Sequence, residues 1–274
     1  MNSFPNPSTK PFENPILVQN PTINPYRHAV HELWNRIRWD LQPDSWRSRQ
    51  KLKALKNRYL GQKAVILCNG PSLLKSDLSL LKEIYTFGLN KINLLFQYSE
   101  FRPSCIVAVN PFVIEQNAEF YRHTKIPLFL DSKAVKWVRS RSNTTYLHSA
   151  NQFKFPNDCS ISIFQGATVT FVALQIAYHL GFEQVALIGC DHNFVTEGAA
   201  NQTVTSGEKD PNHFDPNYFA GGVKWQLPDL FRSEVSYRLA QESFLANGRA
   251  IFNATEGGHL ELFPRLTLAE FLKM

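Results

Sequence analysis

The sequence predicts an α/β domain with a doubly wound, mostly parallel sheet, and three observations lead there. Short continuous apolar runs recur along the chain, the pattern of strands buried on both faces. Helical patterns alternate with those runs, as in successive βα units. The chain has 274 residues, 43% hydrophobic and 19% charged, which suffices for one full core and excludes a disordered, collagenous or coiled-coil protein.

Residues 1–25 contain Pro5, Pro7, Pro11, Pro15, Pro21 and Pro25, a spacing that cannot propagate a helix or a sheet ladder, so an extended or disordered arm is expected. Over 26–60 a basic helical prefix follows. Val30, Leu33, Trp34, Ile37 and Leu41 repeat at three and four residues, and a second helix is expected over about 45–59. From 61 to 274 the reading is Rossmann-like. Strands are expected at 64–68, 85–89, 105–109, 126–130, 144–147, 184–188 and 250–253. Helices are expected over 78–84, 134–138, 168–180, 230–247 and from 267. The Gly-, Asn- and Asp-rich stretch 191–228 lacks periodicity and is expected to be a lid.

The apolar stretch 169–188 is interrupted by Gln175, His179, Glu183 and Gln184, so no run of about 18 apolar residues is available for a membrane span. No secretory signal pattern opens the sequence, and Cys68, Cys105, Cys159 and Cys190 form no C-x-x-C pair. A cytoplasmic protein with reduced thiols is expected. The net charge is +6, and segment 1–62, with ten basic and four acidic residues, holds all of it. Three outcomes are open for the basic prefix: docking on the domain, contact with nucleic acid, or peripheral contact of residues 26–58 with an anionic membrane, at its inner face. No nucleic-acid motif accompanies the charge, so nucleic acid is not expected as a partner. Homo-oligomerisation is compatible with the sequence.

The first strand runs into Asn69-Gly70-Pro71-Ser72, a tight turn whose glycine and following helix start suit a phosphate, or else a plain βα turn. It matches neither the Walker pattern nor the dinucleotide fingerprint. Asn90 and Asn110 end the second and third strands, so three amides fall at carboxyl ends, where open parallel sheets bind ligands. An amide both donates and accepts, and so suits a base edge or sugar hydroxyl without repelling phosphate. Gly166 and Thr168 open the helix at 168–180, Thr168 as cap and Gly166 as room for a ligand. Asp191 follows the strand at 184–188 and is a candidate for a ribose hydroxyl, for Mg²⁺ or for catalysis, or else a turn cap. In the lid, His213 is the candidate general base and Tyr218 a candidate donor to a leaving phosphate. Thr255 is a candidate nucleotide contact. His259 with Glu256 and Glu261 lacks zinc-site spacing, so no structural metal is expected.

The motifs Lys63-Ala-Val-Ile-Leu-Cys-Asn-Gly-Pro-Ser-Leu73, Thr86-Phe-Gly-Leu-Asn90-Lys91, Val109-Asn110-Pro111 and Gly189-Cys-Asp191-His-Asn-Phe194 resemble those of the MptE-like family. That family is typified by archaeal 6-hydroxymethylpterin diphosphokinase and includes the related domain of motility-associated glycosylation factors. More distantly, the chain is similar to the bacterial sialyltransferases of glycosyltransferase family 42, which share Asn-Gly-Pro-Ser-Leu and a Gly-x-Asp. The likeness covers roughly 61–262. It implies that Asn69, Asn90 and Asn110 surround a nucleotide-sugar donor of the CMP-sugar type, that Thr168 lies near it, and that a lid histidine is the base. The sialyltransferase loop has two histidines four residues apart; here the second falls on Asn217, which leaves the base at His213 or absent.

Three functions follow. The first is a glycosyltransferase, sialyltransferase-like, acting on a sugar or glycan acceptor with no tightly bound cofactor. The second is a diphosphokinase that uses Mg-ATP, with Asp191 on the metal. The third is a nucleotide-binding module without turnover.

Overall fold

In the computed structural model, which describes residues 24–195 and 198–274, seven parallel strands form one sheet: β1 (Lys63–Leu67), β2 (Tyr85–Leu89), β3 (Cys105–Ala108), β4 (Leu128–Asp131), β5 (Thr144–Leu147), β6 (Gln184–Ile188) and β9 (Ala250–Asn253). Their order is β5-β4-β3-β2-β1-β6-β9. The chain starts in the middle, winds outward through β5, and returns to the other side of β1 at β6. The reversal between β1 and β6 is a topological switch point, where the carboxyl ends open a crevice. The fold is therefore α/β and doubly wound.

Successive strand residues face opposite sides, and both sides are apolar. Ala64, Ile66 and Cys68 join one core layer with α5 (Val169–Leu180) and α6 (Leu230–Leu245). Val65 and Leu67 join the other, with α7 (Leu268–Lys273) and the turns after β1 and β2. Helix α5 is buried over nearly its whole length because its sequence is apolar on all faces. Thr168 caps its start by accepting from the Thr170 N–H, and Gly181, at φ 100°, ends it in the left-handed conformation. Its buried polar side chains are satisfied: the Thr170 hydroxyl meets Cys68 Sγ, Gln175 bonds the backbone of Phe164, and His179 bonds Leu52 O and the Cys159 N–H.

The chain divides into two compact units, 1–38 and 39–274. The first, where described, consists of most of α1 (Pro25–Asp40). The expected arm over 1–25 lies, up to residue 23, outside the described residues. The domain boundary expected at residue 60 falls instead at Trp39, because α2 (Pro43–Leu55) is built into the sheet. Ser48 Oγ accepts the Tyr146 N–H of β5 at 2.9 Å, and Lys51 Nζ donates to the carbonyls of Arg141, Ser142 and Thr144. These bonds cover the free edge of β5, which otherwise would present an unpaired ladder. Trp39, counted with the basic prefix in the sequence, is buried and stacks on His148.

Three further differences from the sequence reading concern short elements. The helix expected over 78–84 is a 3₁₀ turn at Leu78–Leu81, preceded by an unforeseen one at Pro71–Lys75, and that expected over 134–138 is a 3₁₀ turn at Ser132–Lys136. Two six-residue helices not foreseen, α3 (Pro111–Gln116) and α4 (Ala118–His123), follow β3 and are too short to show a period. The lid region contains an antiparallel hairpin, β7 (Thr203–Thr205) and β8 (Lys224–Gln226). All four cysteines are buried and unpaired, and no helix among the described residues is long and apolar enough to cross a membrane.

Candidate functional site

A cavity of about 320 Å³ opens beyond the carboxyl ends of β1, β2, β3 and β6, between the sheet and the lid. That is within the size range of small-ligand sites. Asn69, Asn90 and Asn110 all line it, so the three strand-end amides do converge.

Each amide is held differently. Asn69 is buried; its Nδ2 donates to Leu89 O at 3.0 Å and to the Tyr218 hydroxyl at 3.2 Å. A carbonyl can only accept, so this fixes the amide orientation and leaves Oδ1 buried without a partner. Asn90 sits at φ 48°, a left-handed conformation that asparagine tolerates, and its Oδ1 is also buried and unpartnered. Both oxygens are sealed from solvent on residues that line one cavity, and an acceptor buried without a partner is costly. Asn110 caps α3 through the Phe112 N–H and donates to Gln226 Oε1 on β8 at 3.1 Å, tying sheet to lid.

The turn after β1 is not the open phosphate cradle expected of Gly70, Pro71 and Ser72. The Gly70 N–H donates to Gly189 O, the Leu73 N–H to Gly70 O, and Pro71 has none to give. Ser72 gives both its N–H and its hydroxyl to Asp191 Oδ2, at 3.2 and 2.7 Å. Gly70 is required for a different reason: a Cβ there would lie 1.9 Å from Asp191 Oδ2. Asp191 lines the cavity with one oxygen thus committed, and it is the single carboxylate among the described lining residues.

The start of α5 does reach the cavity, through Ala167, Thr168, Val169 and Thr170, and brings the positive end of the helix dipole. Gly166 serves packing: a Cβ would strike the Phe171 ring and Ser236 Oγ, and its carbonyl accepts from Ser236. Thr255 does not line the cavity; its hydroxyl accepts the Cys190 N–H and props the β6 loop from behind.

The lid contributes an imidazole. His213 lines the cavity, its Nδ1 lies 2.7 Å from Asp210 Oδ2, and its ring stacks on Tyr218 at 3.9 Å between centroids, coplanar to 0°. Burial opposes ionisation of Asp210, but the bonds from His213 and from the Asn212 and Phe219 N–H groups outweigh it and hold the carboxyl below its usual range. An ionised Asp210 accepts the Nδ1 proton, which leaves Nε2 as the basic nitrogen. Asn217, the alternative position, is exposed and does not line the cavity.

Tyr218 is not at the cavity surface. It is 1% exposed, burial pushes its phenol well above the ordinary range, and it forms the platform beneath His213. The expected donation to a leaving phosphate therefore does not fit its position. Beneath it lies Lys91, whose Nζ donates to Tyr218 O at 2.6 Å and to Gln116 Oε1, with Phe219 ring contact at 4.8 Å. Burial lowers the Lys91 pKa to about 8, with Asp210 opposing the shift.

Asp210 and Lys91 received no role from the sequence. The Asp210-x-x-His213 spacing was the available signal for the first. For Lys91, adjacent to Asn90, only the fold reveals that its side chain runs under the lid. No lysine or arginine lines the cavity among the described residues. Nor do three or more His, Cys, Asp or Glu side chains cluster there so as to hold a metal ion.

The model of the family described as 6-hydroxymethylpterin diphosphokinase MptE-like matches residues 44–197, more than half of the chain and all of the cavity floor. The chain belongs to the MptE-like family. The matched region ends before Asp210 and His213, so family membership covers the amides and Asp191 but not the lid dyad. No curated protein matches the chain. Among solved structures, the MAf glycosyltransferase from Magnetospirillum magneticum AMB-1 is similar at a TM-score of 0.50 and 14% identity, over 82% of this chain. The chain spans 39% of that protein's length, and the likeness is one of fold. Both names describe transferases.

Proposed function

We propose that the chain is a glycosyltransferase that takes a nucleotide-activated sugar of the CMP-sugar type into this cavity. In the reaction, His213 Nε2 accepts the proton of an acceptor hydroxyl on a sugar or glycan. The acceptor oxygen bonds to the anomeric carbon, the bond from that carbon to the phosphate oxygen breaks, and the nucleotide leaves with the electron pair. The start of α5 meets the charge on the released phosphate, and the orphaned Oδ1 atoms of Asn69 and Asn90 accept from hydroxyl or amino groups of the nucleoside.

The observation that carries this reading is the His213–Asp210 dyad at the edge of a cavity lined by amides and, among the described residues, by no lysine or arginine. A donor with one phosphate suits such a lining. A triphosphate, carrying about four negative charges beside Asp191, would need its charge neutralised by Mg²⁺. The family's description supports the second reading, a Mg-ATP-dependent diphosphokinase. For it, Asp191 offers the metal one free carboxylate oxygen, the other ligands coming from phosphate and water.

Thermal unfolding with CMP, UDP, GDP and ATP, each with and without Mg²⁺, separates these readings. Stabilisation by CMP without metal is expected. Stabilisation by ATP with Mg²⁺ alone would replace the glycosyltransferase with the diphosphokinase. Nucleotide binding without any turnover would leave a binding module, and turnover unaffected by His213→Ala would assign the base to another group.

A further inference from the structure

Helix α1 presents an apolar stripe. Tyr26, Val30, Leu33, Trp34 and Ile37 recur at three- and four-residue spacing, which on a helix of 3.6 residues per turn gathers them in an arc roughly 100° wide. All five are exposed, from 41% at Ile37 to 81% at Tyr26. By the same geometry Arg27 and Arg38 flank one edge of the arc and Arg36 the other, beside Asp40, which pairs with Arg49 at 3.1 Å, while His31, Glu32 and Asn35 occupy the opposite face. Large apolar side chains gathered along one exposed face mark a docking surface more often than chance exposure.

The charge decides between occupants. Within α1, Arg27, Arg36 and Arg38 outnumber Glu32 and Asp40, and the arginines border the apolar arc. A second copy meeting this stripe about a two-fold axis would bring like charge against like charge. An anionic bilayer instead accepts the apolar arc and attracts the flanking arginines, and Tyr26 and Trp34 suit its aromatic-rich interfacial zone. At 16 residues α1 is about 24 Å long and interrupted by charge, so it suits the plane of the interface and not a crossing.

We propose that α1 is an interfacial anchor that seats the protein on an anionic lipid surface, with Leu33 and Trp34 entering the acyl boundary and Arg27 and Arg38 meeting the headgroups. The proposal is independent of the chemistry in the cavity and stands or falls separately.

Co-sedimentation of the full chain with phosphatidylcholine vesicles, with and without about 30 mol% phosphatidylglycerol at roughly 0.1 M salt, tests it. On the order of tenfold more protein is expected on the anionic vesicles, with a blue shift of tryptophan emission. Leu33→Glu with Trp34→Glu should abolish binding. Arg27→Glu with Arg38→Glu should lose roughly tenfold and flatten the salt dependence. Because these side chains are exposed, far-UV circular dichroism and the thermal midpoint should be unchanged in both variants, and they serve as the folding control. Failure to sediment with anionic vesicles, or sedimentation that survives Leu33→Glu with Trp34→Glu, overturns the proposal. So does a dimer in light scattering that the same pair of substitutions dissociates, which assigns the stripe to a second copy. Retention on duplex DNA in place of vesicles would assign the charge to nucleic acid.

Discussion

Replacing Asp210 by Asn keeps the size of the side chain and removes what orients His213. The Asp210 carboxylate accepts three hydrogen bonds: Oδ1 from the Asn212 N–H at 2.8 Å, and Oδ2 from the Phe219 N–H at 3.2 Å and from His213 at 2.7 Å. An amide has one oxygen. If it faces Asn212, its NH₂ meets His213 and the Phe219 N–H, and the imidazole must move its proton to Nε2 in order to accept. If it flips, the NH₂ meets the Asn212 N–H and that backbone donor is orphaned. Either way a charge-assisted bond of about 1.5–3 kcal/mol is lost. The first arrangement also leaves Nε2 protonated and useless as a base, which should lower kcat by about 10²–10⁴-fold, or roughly 2.7–5.5 kcal/mol of barrier, with KM for the donor little changed. Two-bond ¹⁵N–¹H spectra of the imidazole read the tautomer without any substrate, and expect Nδ1–H in the native protein and Nε2–H in the variant. An Asp210→Asn protein with native tautomer and native turnover would refute the orienting role and, with it, the assignment of Nε2 as the base.

Three other outcomes are expected. Gly70→Ala drives a methyl into Asp191 Oδ2, so a stability loss of about 1–3 kcal/mol and loss of nucleotide-induced stabilisation should appear together in thermal melts; a native melt with a native shift would contradict the packing described. Asn90→Gly retains the left-handed backbone while removing the orphaned Oδ1, so the free protein should keep its stability to within about 1 kcal/mol while the nucleotide shift shrinks. The folded pKa of Lys91 is about 8 against an ordinary 10.5, so the folded state loses this proton first and the fold gains stability as pH rises through that window. Denaturant titrations should show that rise in the native protein and its absence in Lys91→Met, and parallel pH profiles would count against a buried, desolvated ammonium.

Much of the fold is legible in the sequence because buried parallel strands are continuous apolar runs. The runs at 64–68, 85–89, 144–147, 184–188 and 250–253 match observed strands to within a residue. The convergence of Asn69, Asn90 and Asn110 was legible too, since carboxyl ends of parallel strands share one edge. Less was legible in the lid and the turns. Six-residue helices carry too little period to read, and a 3₁₀ turn shares its composition with an α-helical one. Pro71, Ser72 and Thr255 looked like ligand contacts because a loop sequence does not disclose that its hydrogen bonds are spent internally.

The sequence by itself determined the sheet, its winding, and which edge holds the crevice, because those follow from local burial and from the direction of the chain. Only the tertiary structure decided which polar groups there remain unsatisfied. Asp191 is half consumed by Ser72, Tyr218 lies under His213, and Lys91 holds the lid from beneath, while Asn69 and Asn90 are left with unpaired acceptors. Apart from the stacking of His213 on Tyr218, those outcomes depend on partners 20 to 149 positions apart in sequence, and a hydrogen bond between such residues is fixed by packing and not by local pattern.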